Sequence, residues 1–308
     1  MKRVIVLGGS GMLGSMVTDV LSRSSDLSLT ATLRERGLAE TCAQVFPSVN
    51  WVQFNASTDD AAVIDGHDWV VNCIGITKPL IHDDNASEVE RAIRVNSLFP
   101  QRLAVKAKEI GARVLQIATD CVYSGAKGHY VETDPHDALD VYGKTKSLGE
   151  TVQPWVHNLR CSIIGPEPKD FKFLLEWFIR QPRGAQVNGF TNHRWNGVTT
   201  YHFGRVVGGI IRSGTDLPNS QHLIPSGDVT KAEMLDTFAA AYDRRDVTVR
   251  HTTAEKVIDR TLETTRPEVS GELWQWAGYP VPPTVPEMIR EMAANPNRII
   301  AERAGIAR

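Results

Sequence analysis

The chain has 308 residues, 42% hydrophobic and 23% charged, a globular balance that excludes a disordered polymer. A chain of about 300 residues buries roughly three quarters of its unfolded surface, so it folds without disulfide or metal staples. Thirty-four basic against thirty-six acidic residues leave a net charge of −2, without the basic surplus of a nucleic-acid binder.

Four scattered cysteines, Cys42, Cys73, Cys121 and Cys161, form no CxxC pair and no Cys/His cluster at zinc spacing. That usage points to a reducing compartment and to no metal site. No window approaches the ~18 apolar residues of a membrane span. The run at residues 4–7 is broken by Gly8 and Gly9, too short for a signal core of ~7–15 residues. The expectation is a cytoplasmic protein with no membrane or nucleic-acid partner.

In chain order, strand-like apolar runs occur at residues 4–7, 29–33, 69–73, 114–118 and 159–164. Helix-period segments at 14–22, 86–95 and 101–110 separate them, the last closed by Gly111. Near-continuous apolar strands between helices predict an α/β fold, a doubly wound parallel sheet covered on both faces. Beyond the turn cluster Gly165-Pro166-Glu167-Pro168, residues 170–181 read as an amphipathic helix carrying Phe171, Leu174, Leu175 and Phe178. A helix at 202–213 and a strand at 222–225 return to the sheet, and a proline-started helix covers 286–294. The expected division is a dinucleotide-binding domain at 1–165 with 199–227. A smaller, interleaved substrate domain takes 166–198 with 228–308.

The strongest local signal is Gly8-Gly9-Ser10-Gly11-Met12-Leu13-Gly14, a GxxGxxG between the first strand and the first helix. Glycines let the backbone turn and a pyrophosphate approach, and the helix amino terminus offers free N–H groups. Gly8, Ser10, Gly11, Met12, Leu13 and Gly14 are therefore candidate cofactor residues of a Rossmann site. After the second strand, Arg34 stands where an NAD site usually places an acid. A guanidinium there suits a 2′-phosphate, so NADPH is expected over NADH. Glu35, one position later, is the alternative ribose ligand.

Tyr142 and Lys146 stand four apart and so share a helix face. An ammonium beside a tyrosine stabilises its phenolate, and the same lysine can hold the cofactor ribose. Thr119 follows the run 114–118 at the sheet's carboxyl end and offers a hydroxyl to a substrate carbonyl; a turn residue is the alternative. Asn96 ties the run 69–73 to a neighbouring helix or is solvated.

In this order and spacing, GxxGxxG, Thr119, Tyr142 and Lys146 resemble an extended short-chain dehydrogenase/reductase. Thr119-Asp120-Cys121-Val122-Tyr123-Ser124-Gly125 and residues 141–150, VYGKTKSLGE, are similar to the dTDP-4-dehydrorhamnose reductase family. The likeness covers about the first 165 residues, then weakens through residues 159–165 and 189–200. It implies that Tyr142 protonates the carbonyl oxygen, Lys146 tunes Tyr142 and binds ribose, and Thr119 holds the carbonyl. It also implies that Cys73, Ile74, Gly75 and Asn96 lie on the cofactor. The chain departs from the family pattern at Cys121, where an aromatic is usual, and at residues 72–75, which replace an alanine-rich run.

Nucleotide-sugar 4,6-dehydratases carry Asp-Glu after the threonine; Asp120-Cys121 lacks that carboxylate base. GDP-L-fucose synthase is similar in having a cysteine at this place, where its family pairs Cys with His for epimerisation. Cys121 is accordingly either an epimerising acid/base, with His193 a candidate partner, or a small side chain beside the sugar. For the substrate, Lys78, Phe171, Lys172, Trp195 and Arg260 have suitable chemistry. The alternative places Phe171 and Trp195 in the core and Arg260 on the surface.

The expected function is NADPH-dependent reduction of a 4-keto group on a nucleoside-diphosphate-linked (6-deoxy) sugar, in surface-polysaccharide or deoxysugar biosynthesis. The alternatives are a nucleotide-sugar epimerase, or a bifunctional epimerase/reductase using Cys121. A redox-inert NADP-binding sensor is the non-enzyme alternative, disfavoured by the Tyr/Lys pair. The expected partner is a nucleotide sugar, and a homodimer stays open.

Overall fold

In the computed structural model, which describes residues 1–303, the first strand already sets the layering. β1 (Lys2–Leu7) sends Val4 and Val6 into one buried core, and Ile5 and Leu7 into another on the opposite face. A strand buried on both faces has no polar side to show, hence its unbroken apolar run.

The elements that follow are α1 (Met12–Leu21), β2 (Leu27–Leu33), α2 (Ala39–Val45), β3 (Asn50–Gln53), β4 (Trp69–Asn72) and α3 (Ala86–Ala92). Next come α4 (Phe99–Ile110), β5 (Arg113–Ala118), α5 (Val141–Gly149), β6 (Val156–Arg160), β7 (Ile163–Ile164), α6 (Leu174–Ile179) and β8 (Gln186–Phe190). β9 (His193–Trp195), β10 (Val198–Thr199), α7 (Thr200–Ser213), β11 (Ser220–His222), β12 (Val229–Thr230) and α8 (Lys231–Ala241) continue the chain. It closes with β13 (Thr248–Thr252), β14 (Ile258–Asp259), α9 (Pro267–Trp276), α10 (Val285–Ala294) and α11 (Arg298–Arg303).

Seven strands form one parallel sheet in the order β11-β6-β5-β4-β1-β2-β3. The chain winds outward from β1 in both directions, so a crevice opens at the carboxyl ends of β1 and β4. The doubly wound α/β expectation holds. α7 packs on α1, and β11 extends the sheet beyond β6. Three small sheets lie apart from it: β7 with β10, β8 with β13, and β9 between β12 and β14.

Several elements differ from the sequence reading. β3 is an additional edge strand, too short and too polar (Asn-Trp-Val-Gln) to show as an apolar run. The two helices expected at 86–95 and 101–110 are joined by a π-helical stretch, Ile93–Leu98, and Gly111 ends the run at φ +70°. The expected strand 159–164 is split into β6 and β7, and the strand near 222–225 ends at His222. The helix expected from 170 starts only at Leu174. Asp170 and Phe171 stand at φ +69° and +50°, a left-handed backbone incompatible with a right-handed helix. Among the described residues no helix is long and apolar enough to cross a membrane.

Candidate active site

The glycine loop is held by close backbone approach. Gly8 turns at φ +81°, and a Cβ on Gly14 would lie 2.1 Å from the Gly8 carbonyl oxygen, so neither position admits a side chain. The Gly8 N–H donates to Thr32 Oγ1 at 2.9 Å, tying the loop to β2. Gly11 precedes α1 without a side-chain cap, leaving first-turn N–H groups directed at the crevice. Gly11, Met12 and Leu13 line a cavity of about 480 Å³, whereas Gly8, Ser10 and Gly14 shape the loop behind it.

The cavity runs along the carboxyl ends of β4 and β5 to the small sheets. Cys73, Gly75 and Lys78 reach it after β4, Thr119, Asp120 and Cys121 after β5, and Tyr142 and Lys146 from α5. α5 is capped by Asp140, whose carboxylate accepts the Gly143 N–H at 2.8 Å and pairs with Lys78 at 2.8 Å. The structure thus brings Thr119, Tyr142 and Lys146 together beside the glycine loop.

Their electrostatics differ from the expectation in one respect. Burial pushes the Tyr142 phenol well above its ordinary value, partly offset by the neighbouring Thr119 hydroxyl. Lys146 does not take up the phenol. Its Nζ donates to the Ile117 carbonyl at 2.8 Å, and burial pulls the amine down to about 8. The Cys121 thiol is pushed up to about 12, mainly by burial and then by Asp120, and is neutral at physiological pH.

Other predicted residues fall outside the cavity. Asn96, in the π-helical stretch, accepts the Ile76 N–H at 2.8 Å, donates to the Ile76 carbonyl at 2.9 Å and reaches Thr145 Oγ1 at 3.2 Å. It buttresses the cavity wall from behind, because every polar atom of its amide is engaged there. Ile74 packs against the core that holds Ile5 and Leu7. Phe171 is 39% exposed, outside the cavity, with the Arg180 guanidinium 3.4 Å from its ring centroid. Arg260 is a clamp: its Nε donates to the Tyr123 carbonyl at 2.8 Å and its Nη2 to that of Ser124 at 3.3 Å. His193 pairs with the Lys256 carbonyl at 2.8 Å and does not line the cavity with Cys121.

Lys172 and Trp195 do line it, the Trp195 indole donating to Ser162 Oγ at 2.8 Å. Arg34 is exposed at the end of β2, 3.3 Å from Glu35, and Lys169 reaches Glu35 from the loop before α6. Sequence reasoning missed Asp120 and Lys231 as cavity residues. Asp120 belongs to a motif already noted, whereas Lys231 sits inside an ordinary Thr230–Glu233 capping box and carries no signal.

Comparison with known proteins agrees with this fold. Residues 1–163 match the family described as RmlD substrate binding domain. A dTDP-4-dehydrorhamnose reductase of Streptomyces griseus is 33% identical over 149 residues, 48% of this chain and 43% of the relative. The matched stretch thus spans less than half of that relative's length. In fold, the chain is similar to a dTDP-4-dehydrorhamnose reductase from Bacillus anthracis in complex with NADP. That likeness has TM-score 0.70 and 17% identity over 96% of this chain and 100% of the other. It is also similar to a UDP-glucuronic acid 4-epimerase from Bacillus cereus in complex with NAD, with TM-score 0.72 and 14% identity over 99% and 98%. With over half its length matched, from the glycine loop through Thr119, Tyr142 and Lys146, the chain belongs to the RmlD substrate binding domain family.

Proposed function

We propose that this chain reduces a 4-keto group on a nucleoside-diphosphate-linked 6-deoxy sugar, with NADPH as hydride source. The observation that carries the reading is the convergence of Thr119, Tyr142 and Lys146 on one cavity that also receives the uncapped amino terminus of α1. Relatives named for this activity and a structural neighbour in complex with NADP support it.

The residues present fit a dinucleotide. First-turn N–H groups of α1 suit a pyrophosphate, the absent side chain at Gly14 lets it approach, and Arg34 has a guanidinium open to a 2′-phosphate. Lys146 would hold the ribose. The cofactor, when bound, supplies the hydride. Thr119 and Tyr142 hold the substrate carbonyl oxygen between two hydroxyls, and Tyr142 passes its proton to that oxygen as charge develops. A phenol kept protonated by burial is a proton donor already in its working form. Cys121, a neutral thiol without a histidine partner, packs beside the sugar. In this reading residues 1–165 with 199–227 carry the cofactor, and 166–198 with 228–308 carry the sugar nucleotide.

The test is single-turnover oxidation of bound NADPH by a dTDP-linked 4-keto-6-deoxyhexose. Tyr142→Phe should slow it by ~10²–10⁴ while NADPH affinity stays unchanged. Near wild-type turnover by that variant would overturn the reading.

A further inference from the structure

The ammonium of Lys231 is not used by the contacts that hold the fold. Lys231 opens α8, is half-buried and lines the large cavity with Asp120, Cys121 and Trp195. Its contact there is the Trp195 ring, with Nζ 5.9 Å from the centroid. Among the described residues no ion pair or side-chain hydrogen bond satisfies its charge.

Asp120 faces the same space. It is buried, and its Oδ1 accepts the Thr119 hydroxyl at 3.3 Å. Asp120 feels the charge of Arg260 and, more weakly, that of Lys231, and forms an ion pair within 4.0 Å with neither. A carboxylate only accepts hydrogen bonds and an ammonium only donates them. A hydroxyl does both, so it fits between two opposite charges that share a cavity without meeting.

Resting on the reductase reading above, we propose that Lys231 and Asp120 together grip the sugar hydroxyl adjacent to the reacting carbonyl. Lys231 donates to that hydroxyl's oxygen, and Asp120 accepts the hydrogen bond that the hydroxyl donates. Thr119 and Asp120 are consecutive; with substrate bound, the Thr119 hydroxyl turns its single proton from Asp120 to the carbonyl oxygen, and the freed carboxylate beside it addresses the oxygen on the neighbouring carbon. With the ketone at C4, the hydroxyl is the one at C3. Trp195 presents its ring to the apolar face of the same sugar. This end of the cavity therefore selects a vicinal hydroxy-ketone and rejects the 3-deoxy sugar, which leaves the Lys231 ammonium without a hydrogen-bond acceptor.

Calorimetric binding of dTDP-glucose and its 3-deoxy analogue, with NADP⁺ present, tests this in wild type and Lys231→Met. Wild type should prefer the 3-hydroxyl by ~10²-fold. Lys231→Met should lower that preference to within about threefold, by weakening only the hydroxylated ligand, with NADP⁺ affinity unchanged. Lys231→Arg should retain part of it. Should Lys231→Met lose NADP⁺ binding, Asp120→Asn carries the same comparison. A preference undiminished in the variant, or absent from wild type, overturns the Lys231 assignment alone. If wild type binds NADP⁺ but none of dTDP-, UDP- or GDP-glucose, the reductase reading falls and takes this assignment with it.

Discussion

Lys146 and Tyr142 stand one helical turn apart on α5, yet the Lys146 ammonium is given to the Ile117 carbonyl, at 2.8 Å, and not to the phenol. The lysine is thus anchored to the end of β5, with its charge buried among Cys73, Cys161 and Glu150. Its amine titrates near 10.5 when exposed and near 8 in the fold, so unfolding takes up a proton between those pH values. Stability therefore rises with pH across that window, and below it the charged amine costs the fold about 3 kcal/mol. Lys146→Met removes that cost and loses one hydrogen bond of about 1 kcal/mol. We expect the variant to gain on the order of 2 kcal/mol at pH 7 while losing turnover. The gain should vanish by about pH 10.5. Urea unfolding at pH 7 and pH 10 measures it, and a destabilised variant at pH 7 would contradict a desolvated ammonium.

Arg34 separates the two cofactors. Its guanidinium is loosely held at 3.3 Å from Glu35, and Glu35 is itself occupied by Lys169. Arg34→Ala should cost ~1.5–3 kcal/mol in NADPH affinity and little in NADH affinity. Fluorescence titration with both cofactors decides it; equal losses would return the ribose contact to Glu35.

Cys121 should not move a carbon-bound proton. Its thiol is pushed up to about 12, and His193 is committed to the Lys256 carbonyl. Turnover in deuterium oxide should give a product without solvent deuterium on carbon, and Cys121→Ser should keep most of the ketone reduction. Solvent deuterium at C3 or C5 would instead identify an epimerase/reductase.

Acid should weaken the fold through two buried imidazoles. His222 sits against Arg160 Nη1 at 2.6 Å and the Glu263 carbonyl at 2.6 Å; His202 touches Thr199 at 2.7 Å and Glu291 at 3.1 Å. Burial holds both down to about 4, against 6.5 in an exposed imidazole. Unfolded chains bind protons in that window and the fold does not, so stability is complete above pH 6.5 and declines toward pH 4. Each histidine accounts for up to ~3 kcal/mol of the decline. His202→Gln should flatten the curve between pH 6.5 and 4 in denaturant titrations; an unchanged slope would exclude His202 as a source.

The sequence by itself determined the parallel sheet, the glycine loop and the Thr119–Tyr142–Lys146 constellation. Each is encoded locally: apolar runs with strand spacing, glycines where a Cβ would strike Gly8, and a tyrosine and lysine one turn apart. Only the tertiary structure decided which other side chains meet them. Phe171 left the cavity because positive φ at Asp170 and Phe171 delays α6, and Arg260 became a loop clamp. Asn96 turned away because a π-helical stretch commits its amide to Ile76 and Thr145. Lys231 arrived from a helix more than a hundred residues after Asp120, with nothing in its neighbourhood to announce it. Local patterns record the periodicity and backbone geometry of one segment. A site assembled where separate segments meet depends on the path the chain takes between them, which no single segment encodes.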